Sequence, residues 1–241
     1  MRLLNCHADL RLINEPFNEN NFGGQFLRRA ADLESLKKTL DELWSTYNGI
    51  KHVWHPSGWP FKDQQLNHYL LLAPGQQVLF LNRRNALRRV VSSQISEQTR
   101  IWSIEDEAVR NKIQQFEFRP LDVDWLERQL ACERESVARQ RELLLAKKID
   151  FLELWYEDLF ELPPTFEAAL KNLNHIFRFL GSSELTDKMQ LLTAREVFDP
   201  SKTRMNSEET YWRIPGIEEI ERRFGSDETG WLFNKQVSST A

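Results

Sequence analysis

Apolar positions along this chain alternate between helical spacing and short runs with strand character. Leu33, Leu36, Leu40, Leu43 and Trp44 recur every three to four residues, predicting a helix within residues 30–47 that Asn48-Gly49 terminates. Before it, residues 9–14 alternate as a strand and lead into the loop Glu15-Pro16-Phe17-Asn18. Residues 50–54 predict a second strand, closed by His55-Pro56-Ser57-Gly58. A short helix over 66–72 and a turn at Pro74-Gly75 follow. The continuous apolar run 78–81 predicts a buried strand, and Asn85 is placed to cap a helix reaching about Trp102. A long, densely charged helix is expected over 123–147, a strand over 149–156, and a helix over 166–180 ended by Gly181. Helical runs flank Pro215-Gly216, and Trp231-Leu232-Phe233 is expected to pack back on the body. Strands separated by helices predict an α/β fold, a single domain whose mostly parallel central sheet is flanked by helices. Ligands of such sheets bind beyond the carboxyl ends of the strands, where Glu15, His55, Arg84 and Tyr156 fall.

Composition narrows the classes. The 241 residues contain no linker-like tract, so one domain over 1–241 is expected, with a disordered tail from Gln236. Charges of both signs are plentiful and the formal net charge is only -4, which argues against a general nucleic-acid binder. A local basic patch at Arg83, Arg84, Arg88 and Arg89 is the exception. Cys6 and Cys132 lie far apart and outside any CxxC pattern, so neither a disulfide framework nor a thiolate zinc site is expected. No apolar run is long enough to span a bilayer or to form a secretory signal, and the cytoplasm is the expected compartment.

The densest chemistry lies between Arg84 and Ser92. A strand ending in arginine presents a planar, permanently charged donor fork, which matches phosphate oxygens. On a helix starting at Asn85, positions 85, 88, 89 and 92 share a polar face and Leu87, Val91 and Ile95 an apolar one. Arg84, the helix N-terminus and the Ser92 hydroxyl can therefore address one anion. A surface arginine cluster on an amphipathic helix explains the same pattern without a ligand.

Strand, Arg84-Asn85, then a helix with serine eight residues beyond the arginine resembles the 3′-phosphate-binding segment of sulfotransferases that use 3′-phosphoadenosine-5′-phosphosulfate, PAPS. Further segments agree in order. Residues 7–17 resemble the passage to the acceptor-side loop, Trp155-Tyr156-Glu157-Asp158-Leu159 a "YEDL" strand end, and residues 176–181 the helix after it. Pro200-Ser201-Lys202-Thr203-Arg204 lies where the family carries a basic loop over the nucleotide. The resemblance covers nearly the whole chain. It implies a P-loop NTPase-like architecture, PAPS as donor, and a carbohydrate or small-molecule acceptor, with no metal. Arg84, Ser92, Tyr156, Lys202, Thr203 and Arg204 would then hold the nucleotide. The family's Gly/Ser/Thr-rich 5′-phosphosulfate loop and its strand are missing, and no G-x-x-x-x-G-K-[ST] sequence occurs. Because residues 3–7 read as the end of a helix without a start, that loop is expected upstream of Met1. The alternative is a non-catalytic, truncated or degenerate relative that binds nucleotide or a protein partner.

Sulfuryl transfer needs a base for the acceptor proton and positive charge at the departing bridging oxygen. Glu15, matching the catalytic glutamate of several family branches, is the candidate base; an ordinary loop carboxylate is the plainer role. His55 is a second candidate beside the acceptor, whereas His52 is expected to be packed or at the surface. His52 and His55 lack the further ligands a zinc site requires.

Overall fold

The computed structural model describes residues 1–54, 59–102, 107–199 and 208–233. His55, Lys202, Thr203, Arg204 and the tail from Gln236 lie outside the described residues. In chain order the elements are β1 (Leu12–Asn14), α1 (Gln25–Arg29), α2 (Leu33–Trp44), β2 (Gly49–Lys51), α3 (Gln64–Leu72) and β3 (Gln77–Asn82). There follow α4 (Ala86–Thr99), α5 (Glu107–Gln115), α6 (Val123–Ala146), β4 (Asp150–Trp155), α7 (Tyr156–Phe160), α8 (Phe166–Phe179), α9 (Lys188–Phe198), α10 (Glu208–Trp212) and α11 (Ile217–Phe224). The chain divides into two compact units, one of residues 1–80, 136–154 and 163–198, the other of 81–135, 155–162 and 199–241.

In the first unit, β1 and β2 pair in parallel, with Leu12 opposite Gly49 and Asn14 opposite Lys51. A Cβ at Gly49 would meet the end of the Leu12 side chain, which would have to shift. A capping box starts α2. Asp32 Oδ1 accepts from Ser35 N at 2.8 Å, and Ser35 Oγ accepts from Asp32 N at 3.0 Å. Of the stripe read from the sequence, Leu36, Leu40 and Leu43 are buried with Ile13, Phe17, Phe61, Leu66 and Leu70, while Leu33 and Trp44 at its ends are exposed. His7 is locked in the same unit. Its Nδ1 accepts from Asp9 N at 3.1 Å, so the proton sits on Nε2 and is donated to Ser183 O at 3.0 Å, while the ring packs on Phe177.

In the second unit, Leu87, Val90, Val91 and Ile95 of α4 are fully buried against Leu126, Tyr211, Ile214 and Leu232. Asn85 caps α4 as the sequence predicts, its side chain accepting from Arg88 N at 2.9 Å. Gln94 bonds both the N–H and the carbonyl of Asp122 at 2.9 Å, tying the start of α6 to α4. Gly230, at φ +86, lets the 226–230 turn approach the main chain of Asn85, and any Cβ would strike it.

The α/β class holds, but the sheet differs from the single central one expected. Among the described residues the four strands form two two-stranded sheets, β1 with β2 and β3 with β4. Sequence periodicity also overestimates strand length, since residues 9–11 and 52–54 lie outside β1 and β2. The 78–81 run is not buried throughout. Phe80 and Asn82 are buried while Leu81 is 55% exposed, because side chains alternate across a strand and one face here is open. Residues 4–6 form a 3-10 turn, not an α-helical one.

Candidate functional site

The β1–β2 register brings the ends of both strands together and with them Glu15 and Lys51. Glu15 N donates to Lys51 O at 2.9 Å. The residue then takes φ +44, an uncommon backbone state for a side-chain-bearing residue. Asn21 stabilises it by donating to the carbonyls of Asn14 and Glu15 at 3.2 and 3.1 Å. The Glu15 carboxylate accepts from Lys51 Nζ at 2.5 Å and from Asn18 Nδ2 at 2.9 Å. Burial alone would raise its pKa, but the Lys51 ammonium and the Asn18 amide outweigh burial and hold it below 4.5. Glu15 is therefore ionised at neutral pH, with its carboxylate engaged by Lys51 and Asn18.

Beside it, His52 Nε2 lies 3.1 Å from Asn67 Oδ1, and its ring stacks on Phe61. Asn67 Nδ2 donates to Phe61 O, so Oδ1 is the atom facing the ring and His52 carries its proton on Nε2. Burial pushes the imidazole pKa down to about 4, leaving it neutral at pH 7. His52 is thus packed, one of the two roles its sequence position suggested.

Arg84, Ser92 and Tyr156 belong to the second unit, Glu15 to the first. Arg84 follows the end of β3 and Tyr156 the end of β4. The Arg84 fork is already engaged. Its two terminal nitrogens donate to Asp158 Oδ1 and Oδ2 at 2.6 and 2.8 Å, and the guanidinium lies 5.0 Å from the Trp155 ring centre. Hydrogen bonding to Arg84 lowers the Asp158 pKa, and the same bond raises that of Arg84. At the main chain, Glu157 Oε2 accepts from Arg84 N and Oε1 from Asn85 N, both at 3.0 Å. The place the sequence offered to an external anion at the start of α4 is held by this buried carboxylate.

The other arginines of the basic patch are paired as well. Arg88 donates to Leu232 O at 3.1 and 2.8 Å and approaches Glu208, and Arg89 pairs with Glu133. Burial, with a smaller push from the Arg83 charge, lowers the Arg89 pKa to about 10. Arg83 stacks 4.5 Å over the Tyr156 ring and meets Glu157 and Glu161 only at 3.8 and 3.6 Å. Its Nε is buried and makes no hydrogen bond among the described residues. Ser92 lies half-buried on α4, two turns from Asn85.

Glu157 and Asp158 are the residues sequence reasoning passed over, though both stand inside the Tyr156-Glu157-Asp158 segment it singled out. The available signal was two adjacent carboxylates at a strand end in a chain with a basic turn elsewhere. The Arg84–Asp158 pair is exposed on both sides, 47% and 42%. As a bidentate arginine–carboxylate pair it is stronger than an ordinary surface ion pair, and an anion would have to displace Asp158 to reach the fork. Cys6 is buried, its thiol donating to Leu3 O and its pKa raised by burial to about 11. Among the described residues no group of three His, Cys, Asp or Glu could hold a metal ion, and no helix is long and apolar enough to cross a membrane. No family model, no curated protein and no solved structure matches the chain.

Proposed function

We propose that the chain is a PAPS-dependent sulfotransferase that moves a sulfuryl group to a hydroxyl or amine of a carbohydrate or small-molecule acceptor. The observation that carries the reading is the exposed, two-pronged Arg84 fork at the start of α4, gripping a carboxylate in the geometry a phosphate would use. Arg84 and Ser92 would hold the 3′-phosphate and Tyr156 the nucleoside, with Lys202 and Arg204 adding charge and Thr203 a hydroxyl to its phosphates. In the transfer the acceptor oxygen attacks sulfur as its proton passes to Glu15. The bond from sulfur to the bridging oxygen breaks, and adenosine 3′,5′-bisphosphate leaves with the electron pair. Glu15 supports this role by being ionised at neutral pH, and His55 stands as the second candidate base. No metal takes part in the reading.

Adenosine 3′,5′-bisphosphate is expected to raise the melting temperature, because a ligand of the folded state at a hundredfold excess over its Kd adds about 2.7 kcal/mol. Arg84→Ala is expected to remove most of that shift, and an undiminished shift in the variant would overturn the assignment. Glu15→Gln is expected to abolish turnover and leave bisphosphate binding intact. Full turnover in that variant would move the base role to another group.

A further inference from the structure

We propose that Glu157 is the positioning residue of the Arg84 anion site, a buried bracket that sets the main chain from which the guanidinium fork is presented. The inference rests on the nucleotide reading above and adds to it a residue that does not touch the ligand. One carboxylate oxygen takes the N–H of Arg84 and the other that of Asn85, each at 3.0 Å, so the side chain spans the peptide joining strand end to helix cap. The next residue, Asp158, grips the guanidinium itself at 2.6 and 2.8 Å. Two consecutive carboxylates thus hold the main chain and the side chain of one arginine.

Their surroundings separate their roles. Glu157 is 7% exposed, whereas the Asp158 side chain is 42% exposed. A buried acceptor of two main-chain N–H groups cannot leave without stranding both donors, which is unfavourable. The Asp158 carboxylate, by contrast, is open to solvent, where a ligand oxygen can compete for the fork. Tyr156 and Trp155 complete the frame, with Arg83 over the first ring and Arg84 over the second.

The sign of the effect makes the role testable. Removing a negative charge next to an anion site strengthens anion binding if charge alone matters. Loss of positioning weakens it. Titration calorimetry with adenosine 3′,5′-bisphosphate on wild type, Glu157→Gln, Arg84→Ala and the double variant, all kept below their melting temperatures, separates the two. Glu157→Gln is expected to weaken binding about tenfold, the change that corresponds to losing one hydrogen bond to a charged group. In the Arg84→Ala background the same substitution is expected to add nothing. Amide exchange in Glu157→Gln should quicken at Arg84 and Asn85 and stay slow at Val90 and Val91, which separates a local bracket from general loosening. Unchanged or tighter binding in Glu157→Gln, or equal weakening with and without Arg84, overturns the proposal while the nucleotide reading stands. Absence of binding by the wild type overturns both.

Discussion

Phe17→Ala is expected to destabilise the first unit by about 3–5 kcal/mol, the range for removing a fully buried aromatic ring. Phe17 is 0% exposed, and its ring lies 5.1 Å from that of Phe61 in a cluster with Ile13, Leu36, Leu40 and Leu66. Total stabilities of about 5–15 kcal/mol leave little reserve against such a loss. The same ring anchors the Glu15-Pro16 turn, so its removal also releases the Glu15–Lys51 bond and lets the Glu15 pKa climb back towards 4.5. Denaturant unfolding followed by a probe in the first unit, with a carboxylate NMR titration, checks both effects. A loss under about 1 kcal/mol would show that the site re-forms around the cavity and that Phe17 is not its anchor.

The second large effect concerns acid. His52 has a folded-state pKa of about 4 against 6.5 when unfolded. Above 6.5 both states are neutral and the group contributes no pH dependence. As pH falls from 6.5 towards 4 the unfolded chain takes up a proton that the folded chain refuses, so stability drops, by up to about 3 kcal/mol for this half-buried ring. Glu15 adds a second, lower limb. Its depressed pKa stabilises the fold above 4.5, and that contribution is lost as pH falls through the folded value. His52→Gln, which keeps an N–H donor for Asn67, is expected to flatten the 6.5-to-4 limb and leave the lower one. Stability measured against pH checks this, and an unaltered upper limb would place the titration elsewhere.

How far the sequence led depended on whether the deciding contact was local. The buried leucines of α2, the Asn85 cap and Gly181 are visible because cap and periodicity lie within one or two helical turns. Strand pairing was not visible, since β1 pairs with a strand whose first residue, Gly49, lies 37 residues beyond Leu12. Glu15 stands out in the sequence, yet only the parallel register brings Lys51 to it. The arginines looked like an open anion surface for the same reason. Asp158 lies 74 residues from Arg84, and Glu133 is on α6, beyond the reach of any local pattern. The continuous 78–81 run hid its own alternation, because apolar residues on an open strand face read like buried ones until Leu81 is seen in solvent.

The central claim is that Arg84 recognises a 3′-phosphate, and a paired calorimetric titration tests it most directly. Adenosine 3′,5′-bisphosphate and adenosine 5′-monophosphate differ by that one group. The account predicts that the bisphosphate binds at least about tenfold more tightly, as expected for a charge-assisted two-pronged contact, and that Arg84→Ala removes the difference. Equal affinity for the two nucleotides in the wild type would contradict it.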